Sequence, residues 1–284
     1  MKPARFSYEA PTTVASVLAS LAARGDAAKI IAGGQSLAPM MNMRIAQPGH
    51  LIDINRVPEL AQIRLDGEVL TCGALVRHAD LARDERVREH APMLAHAAGT
   101  IGHYAIRQRG TLGGSLAHAD PAAQLPLVAV ALDARIEVAS EHGRRLVPAT
   151  EFFASIFTTV LEPDELLVAV HLPCRRPREG WGFRQFSRRA GDFALVLVAC
   201  IAARANDGSV NTRVAVSGIG PVPVRLDSAV RPGTSDPGWV ANAARSVALA
   251  AEIEENERIS AEYRRELLEA LVRDALDDAV ERAT

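Results

Sequence analysis

The sequence predicts an α+β fold built in two parts, and three observations carry that prediction. Helix-period and strand-period segments mix without strict βαβ alternation, which argues against a doubly wound parallel sheet. No fixed-period repeat runs through the 284 residues, which excludes solenoids and propellers. A Pro/Arg/Gly-rich stretch, CRRPREG at 174 to 180, changes the composition and marks the best boundary in the chain.

Thr12 or Thr13 can cap a helix from Val14 to about Arg24, with Val14, Val17, Leu18 and Leu21 on one face and Gly25 at its end. Lys29 to Ala32 reads as a short buried strand running into Gly33-Gly34, and His50 to Ile54 as a second strand. Residues 63–75 form a hairpin that turns at Asp66-Gly67. Helices are expected from Arg77 to Glu89 and from Pro92 to about Ile101. A glycine-rich stretch follows, then a short apolar helix from Gln124 to Leu132. Segments 134–140 and 144–149 pair around His142-Gly143, and 165–173 alternates as a strand. Beyond the boundary come strands at 182–189, 193–205 and 210–220, a loop at 229–238, and helices from about Trp239 to Ala250 and Ser260 to Ala283.

Apolar residues make up 48% of the chain and charged residues 23%, enough to bury a substantial core. A formal charge of −2 gives no electrostatic case for nucleic acid or an anionic membrane. No apolar run approaches the roughly 20 residues that span a bilayer. The opening MKPARFSYEAPTT has no apolar signal region, so a cytoplasmic location is expected. Cys72, Cys174 and Cys200 are scattered and lack metal-ligand spacing, so they read as reduced, buried thiols. Redox chemistry on this chain then requires a bound cofactor.

The chemistry concentrates in two glycine pairs, IIAGGQSLAP at 30–39 and TLGGSLAHADP at 111–121. Without a Cβ, such a pair lets successive backbone N–H groups converge on an anion. Gln35 and Ser36 add side-chain donors suited to phosphate oxygens. Neither pair is a P-loop or a G-x-G-x-x-G fingerprint, which weakens mononucleotide and NAD readings. Each pair taken alone is also an ordinary turn. Thr111, Ser115, His118 and Asp120 crowd more polar groups into the second than a turn needs. His118 itself reads as structural or solvated, with no triad around it.

These stretches carry a resemblance. AGGQSLAPMMNMR at 32–44 and RQRGTLGGSLAHADPAAQLP at 107–126 resemble the two FAD-binding motifs of the flavoprotein (medium) subunit of molybdenum hydroxylases. Carbon monoxide dehydrogenase and quinoline oxidoreductase belong to this group, and xanthine dehydrogenase carries the same domain within a longer chain. DELLVAVHLP at 164–173 resembles the strand ending the flavin domain, and FRQFSRRAGDFALV at 183–196 the opening of the C-terminal domain. SAEYRRELLEALVRDAL at 260–276 is similar to its close.

The resemblance implies an FAD domain of the vanillyl-alcohol-oxidase type at 1–175, in subdomains of about 1–55 and 56–175, then a smaller α+β domain at 180–284. FAD would lie extended between the two halves. Ala32, Gly33, Gly34, Gln35, Ser36 and Leu37 would hold its pyrophosphate, largely through backbone N–H groups. Thr111, Gly113, Gly114 and Ser115 would form a second clamp, with Asp120 nearby. Ile101, Gln124, Leu167 and Arg184 align with further flavin-contacting positions. Phe193 falls where relatives place an aromatic residue near the isoalloxazine. No acid–base catalyst and no metal site are implied on this chain.

Some positions depart from the family pattern. Ser115 stands for an asparagine, Gln124 for a carboxylate, Arg184 for a lysine and Phe193 for a tyrosine. For Leu167 and Phe193, core packing is the alternative role. The implied partners are a molybdenum-cofactor large subunit and a small subunit with two [2Fe–2S] clusters, assembled as a dimer of heterotrimers. Electrons would pass through FAD to NAD⁺, oxygen or a quinone. Two other readings stand beside this one: a stand-alone FAD oxidoreductase, and a non-catalytic interaction subunit that has lost FAD.

Overall fold

Residues 2–226, 238–255 and 259–284 are described by the computed structural model. The loop expected at 229–238 therefore lies, except for Gly238, outside the described residues.

The N-terminal layer runs β1 (Ser7–Glu9), α1 (Val14–Arg24), β2 (Ala28–Ile31), α2 (Leu37–Asn42) and β3 (His50–Asp53). Its three strands are parallel in the order β1-β3-β2. A reciprocal capping box between Thr13 and Ser16 starts α1, which settles the choice between the two threonines. The helix buries Val14, Val17, Leu18 and Leu21 in one cluster with Ile52, Ile54 and Leu60. Each such side chain contributes roughly 1.5–3 kcal/mol of burial, before conformational entropy is counted.

The second layer opens with the expected hairpin, β4 (Ile63–Asp66) and β5 (Val69–Gly73). A run of helices follows: α3 (His78–Arg83), α4 (Glu85–His90), α5 (Pro92–Thr100), α6 (Tyr104–Arg109), α7 (Leu112–His118) and α8 (Gln124–Ala131). Then come β6 (Arg135–Ser140), β7 (Gly143–Pro148), α9 (Ala149–Phe152), β8 (Phe153–Ser155), β9 (Thr158–Thr159) and β10 (Leu166–Pro173). The five-stranded sheet is antiparallel in the order β4-β5-β10-β6-β7, and β10 returns to its centre. Two expectations are corrected here. The single helix foreseen over Arg77–Glu89 is broken at Asp84, whose backbone is extended and whose carboxylate caps Arg86 and Val87. The stretch around the second glycine pair is helical, forming α6 and α7.

The third part is an antiparallel sheet, β11 (Glu179–Phe186), β12 (Val196–Arg204), β13 (Val210–Ser217) and β14 (Val224–Leu226), covered by α10 (Trp239–Ala250) and α11 (Ala261–Arg282). Its two faces go to different cores. Val196, Val198, Cys200 and Ala202 pack with α10 and α11, while Leu197, Ala199 and Ile201 join the core of the second layer. On β11, Gly180 and Gly182 let α11 approach so closely that a methyl on either would overlap its backbone. Trp181 and Phe183, on the opposite face, lie 5.3 Å and 5.9 Å from the His96 ring of α5. Asp133, in the turn after α8, forms ion pairs with Arg213 and Arg225 of this sheet. No helix among the described residues is long and apolar enough to cross a membrane.

Candidate cofactor-binding site

β2 delivers the first glycine pair at the C-terminal edge of the parallel sheet. Gly34 adopts φ +71°, which turns the chain, and α2 begins at Leu37. Gly33 is packed against the backbone of Arg109 and Gly110, and a methyl there would overlap the Arg109 carbonyl. The Gln35 amide donates back to the Gly33 carbonyl at 2.9 Å, and Ser36 makes no capping bond to α2. Among the described residues, no protein group accepts from the backbone N–H groups of Gly33 through Leu37. A turn of this kind supplies a row of donors to an anion.

The second pair is built differently. Thr111 caps α7, its hydroxyl accepting from Gly114 N–H at 3.1 Å. Leu112 N–H donates to Val76 at 3.0 Å, Gly113 N–H to Ala74 at 2.9 Å, and Ser115 N–H to Thr111 at 3.0 Å. The Leu112 and Gly113 donors are spent on holding α7 to the chain that follows β5, and the Ser115 donor on the first turn of α7. Gly113 is small because a methyl would stand 2.6 Å from the Ala74 side chain. A methyl on exposed Gly114 would stand 2.7 Å from the Thr111 hydroxyl and 4.0 Å from the Ala32 side chain, so the two pairs lie side by side. Among the described residues, backbone donors left without a protein acceptor therefore occur at the first pair, while those of the second are taken. At the second, the side chains are what remain available.

Two residues that the sequence reading did not single out lock the pairs together. Asn55 donates to the Ala32 carbonyl at 2.7 Å, and its own carbonyl accepts from Arg77 at 2.7 Å. Arg77 also donates to the Arg109 carbonyl at 2.5 Å. Asp53 orients Asn55 through bonds of 2.6 Å and 2.8 Å and accepts from Tyr8 at 2.7 Å. Burial pushes the Asp53 carboxyl up, but the Tyr8 and Asn55 hydrogen bonds outweigh it and hold it below the usual range. His78, at the start of α3, lies beneath the second pair and is 4% exposed. Its Nε2 is 3.0 Å from the Thr111 carbonyl and 3.1 Å from Ser115 Oγ. Burial, reinforced by Arg107 and Arg77 against the Thr111 hydrogen bond, lowers its pKa from 6.5 to about 4. A sequence signal existed, since His78 shares a helical face with apolar Leu81 and Ala82.

The remaining positions divide. Asp120 forms an Asx turn onto Ala122 N–H at 2.8 Å, just after α7. The Ile101 carbonyl accepts from Arg107 at 2.9 Å. Beside it, Gly191 of the β11–β12 loop packs on Gly102, which brings that loop to the end of α5. Phe193, on the same loop, is 65% exposed, so its side chain is not core packing. Leu167 is buried in the second-layer core, where a bulge interrupts the β10–β6 register. Gln124 is buried and donates to Gln185 of β11 at 3.0 Å. Arg184 turns to the third part instead of the glycine pairs among the described residues: its guanidinium pairs with Asp278 of α11 at 2.5 Å. His118, read from the sequence as structural or solvated, is half-buried with its ring tilted against Phe157, centroids 4.9 Å apart.

Cys72 and Cys200 are buried as expected, and burial pushes the Cys72 thiol up to about 12 and Cys200 further still, whereas Cys174, beside the exposed link, is only half-buried, which corrects the expectation for it. No group of three or more His, Cys, Asp or Glu side chains among the described residues could hold a metal.

A parallel layer ending in a turn of unbonded donors, apposed to a glycine helix start on an antiparallel layer, is the class of site that can take an anionic cofactor. The donor row and the closely packed glycines fit a pyrophosphate-bearing cofactor. Residues 4–175 match the FAD binding domain in molybdopterin dehydrogenase, and residues 181–279 the CO dehydrogenase flavoprotein C-terminal domain. The chain belongs to the FAD-binding medium subunits of molybdopterin-dependent dehydrogenases. It is 40% identical to the 6-hydroxypseudooxynicotine dehydrogenase complex subunit alpha of Paenarthrobacter nicotinovorans, over 100% of this chain and 97% of that one. Among solved structures it resembles carbon monoxide dehydrogenase from Hydrogenophaga pseudoflava, with TM-score 0.93, 35% identity and 100% of both chains covered. Quinoline 2-oxidoreductase from Pseudomonas putida 86 gives TM-score 0.93 at 34% identity, covering 100% of this chain and 99% of that one.

Proposed function

We propose that this chain takes electrons from a [2Fe–2S] small subunit and passes them through its FAD to an external acceptor, within a heterotrimer whose large subunit holds the molybdenum cofactor. The observation that carries the cofactor's placement is the row of backbone donors from Gly33 to Leu37 that no protein acceptor uses, among the described residues. Ala32, Gly33, Gly34, Gln35, Ser36 and Leu37 would hold the pyrophosphate, while Thr111, Gly113, Gly114 and Ser115 shape the facing wall. Asp120 and Ile101 flank that wall, and Phe193 offers an exposed aromatic surface to the flavin end. Gln124, Leu167 and Arg184 would contact the cofactor beyond the glycine pairs, Gln124 from its bond to Gln185 of β11, Leu167 from β10 and Arg184 from β11. FAD, when bound, supplies a carrier that accepts and releases electrons; the chain's own residues bind and orient it.

The division at 175 to 180 into a flavin domain and a C-terminal domain belongs to the same reading, supported by family matches that end at 175 and begin at 181. The dimer of heterotrimers is likewise proposed, supported by relatives named as subunits and medium chains. Native purification tests the whole. Flavin, iron and molybdenum should co-elute with this chain, and a metal-free complex that oxidises substrate would overturn the reading.

A further inference from the structure

We infer that His78 is a positioning residue: it holds the Ser115 oxygen as an acceptor and so leaves the Ser115 O–H to donate to the dinucleotide. The inference rests on the cofactor reading above. His78 Nε2 lies 3.0 Å from the Thr111 carbonyl and 3.1 Å from Ser115 Oγ. A carbonyl oxygen only accepts, so Nε2 carries the hydrogen and shares it between two acceptors. Ser115 is thereby on the receiving side of that bond. Its own hydrogen cannot point at His78, and no other protein partner takes it among the described residues.

The ring cannot exchange these roles. Nδ1 is buried beside Gly110 with no partner among the described residues, and a methyl on Gly110 would stand 2.6 Å from it. A buried polar atom without a partner calls for an account. Here it follows from aiming the other nitrogen at Thr111 and Ser115. Burial and the nearby Arg77 and Arg107 keep the imidazole neutral, so the tautomer is fixed at neutral pH. The arrangement also bears on the replacement of a family asparagine by Ser115. An amide donates through a planar group of fixed geometry, whereas a hydroxyl hydrogen rotates. His78 removes that freedom from one side.

The test uses the full chain stripped of FAD and titrated with FAD, read by flavin fluorescence and absorption. Ser115→Ala and His78→Leu should each weaken binding by about tenfold, the equivalent of one hydrogen bond. The double variant should be no weaker than either single one, because the two residues act through one donor. His78→Gln, which keeps an N–H at similar reach, should recover most of the loss. Losses that multiply to about a hundredfold in the double variant would overturn the inference. So would a His78→Gln chain as weak as His78→Leu. If His78→Leu does not fold, as judged by cofactor-free melting, Ser115→Ala decides: wild-type affinity in that variant overturns the inference. A wild-type chain that takes up no FAD overturns the cofactor reading as well. Wild-type uptake with multiplying losses overturns this one alone.

Discussion

The two glycine pairs look alike in sequence and do opposite work in the fold. At Gly33-Gly34 the backbone donors have no protein acceptor among the described residues, and the glycines serve a turn and a close backbone approach. At Gly113-Gly114 the donors are consumed by Ala74 and by the Thr111 cap, and the glycines serve helix-to-sheet packing. Unbonded donors and structural support are thus divided between two similar motifs among the described residues. The difference predicts that substitutions in the first pair move cofactor affinity more than stability, and those in the second the reverse. Gly33 is the exception that joins them, because its open side faces the other motif.

Gly33→Ala should therefore have the largest effect. Its methyl meets rigid backbone at Arg109, so the cost should reach or pass the upper end of the usual 1–3 kcal/mol of overpacking, about 3 kcal/mol. FAD retention should be lost, as checked by melting and by titration; normal occupancy would mean the pairs need not touch. Acid comes next. His78 is held at about 4 against 6.5, so between those values the unfolded chain binds a proton that the folded chain does not. Its contribution is complete above the unfolded pKa and disappears as pH falls toward the folded one, by roughly 3 kcal/mol in all. Melting temperatures across that window should fall, and His78→Gln should flatten the fall.

Arg77→Ala removes the charged link between Asn55 and the Arg109 carbonyl, and should cost about 2 kcal/mol. FAD affinity should fall with it, since the brace sets the spacing of the two pairs. Thr111→Ala loses a helix cap and should cost about 1 kcal/mol of stability, measured in denaturant. Ser36→Ala should change stability by less than about 0.5 kcal/mol, because its hydroxyl caps nothing, while FAD titration still registers the lost donor. Equal stability losses for Thr111→Ala and Ser36→Ala would erase the proposed contrast.

Local signals were legible where one short stretch holds all the information. A threonine at 12 or 13 before an apolar stripe gives α1, Asp66-Gly67 gives the β4–β5 turn, and Trp239–Ala250 forms as a helix over the expected span. The glycine pairs were legible as special backbone positions, but not as different from each other. That difference depends on Ala74 and Val76, which reach α7 only through the sheet. Asp84 broke a helix because its carboxylate competes for the next turn's N–H groups, a choice that periodicity does not register. Asn55 and Arg77 escaped notice for the same reason as His78. Each acts on a carbonyl or hydroxyl more than twenty positions away, and nothing in its own neighbourhood announces the partner.

The sheet of β11 to β14 is a wall with a core on each side. Removing the third part would strip Phe183, Leu197, Ala199 and Ile201 from one core, while the removed piece would carry those same side chains bare. Neither half is then a sound expression target alone. The exposed link around Arg175 and Arg178 contributes, by contrast, only a few hydrogen bonds, among them Arg175 N–H to the His90 carbonyl at 2.7 Å and Arg204 N–H to the Arg178 carbonyl at 3.0 Å. A protease nick there should leave one particle, and the two halves produced as separate polypeptides in one cell should find each other and assemble.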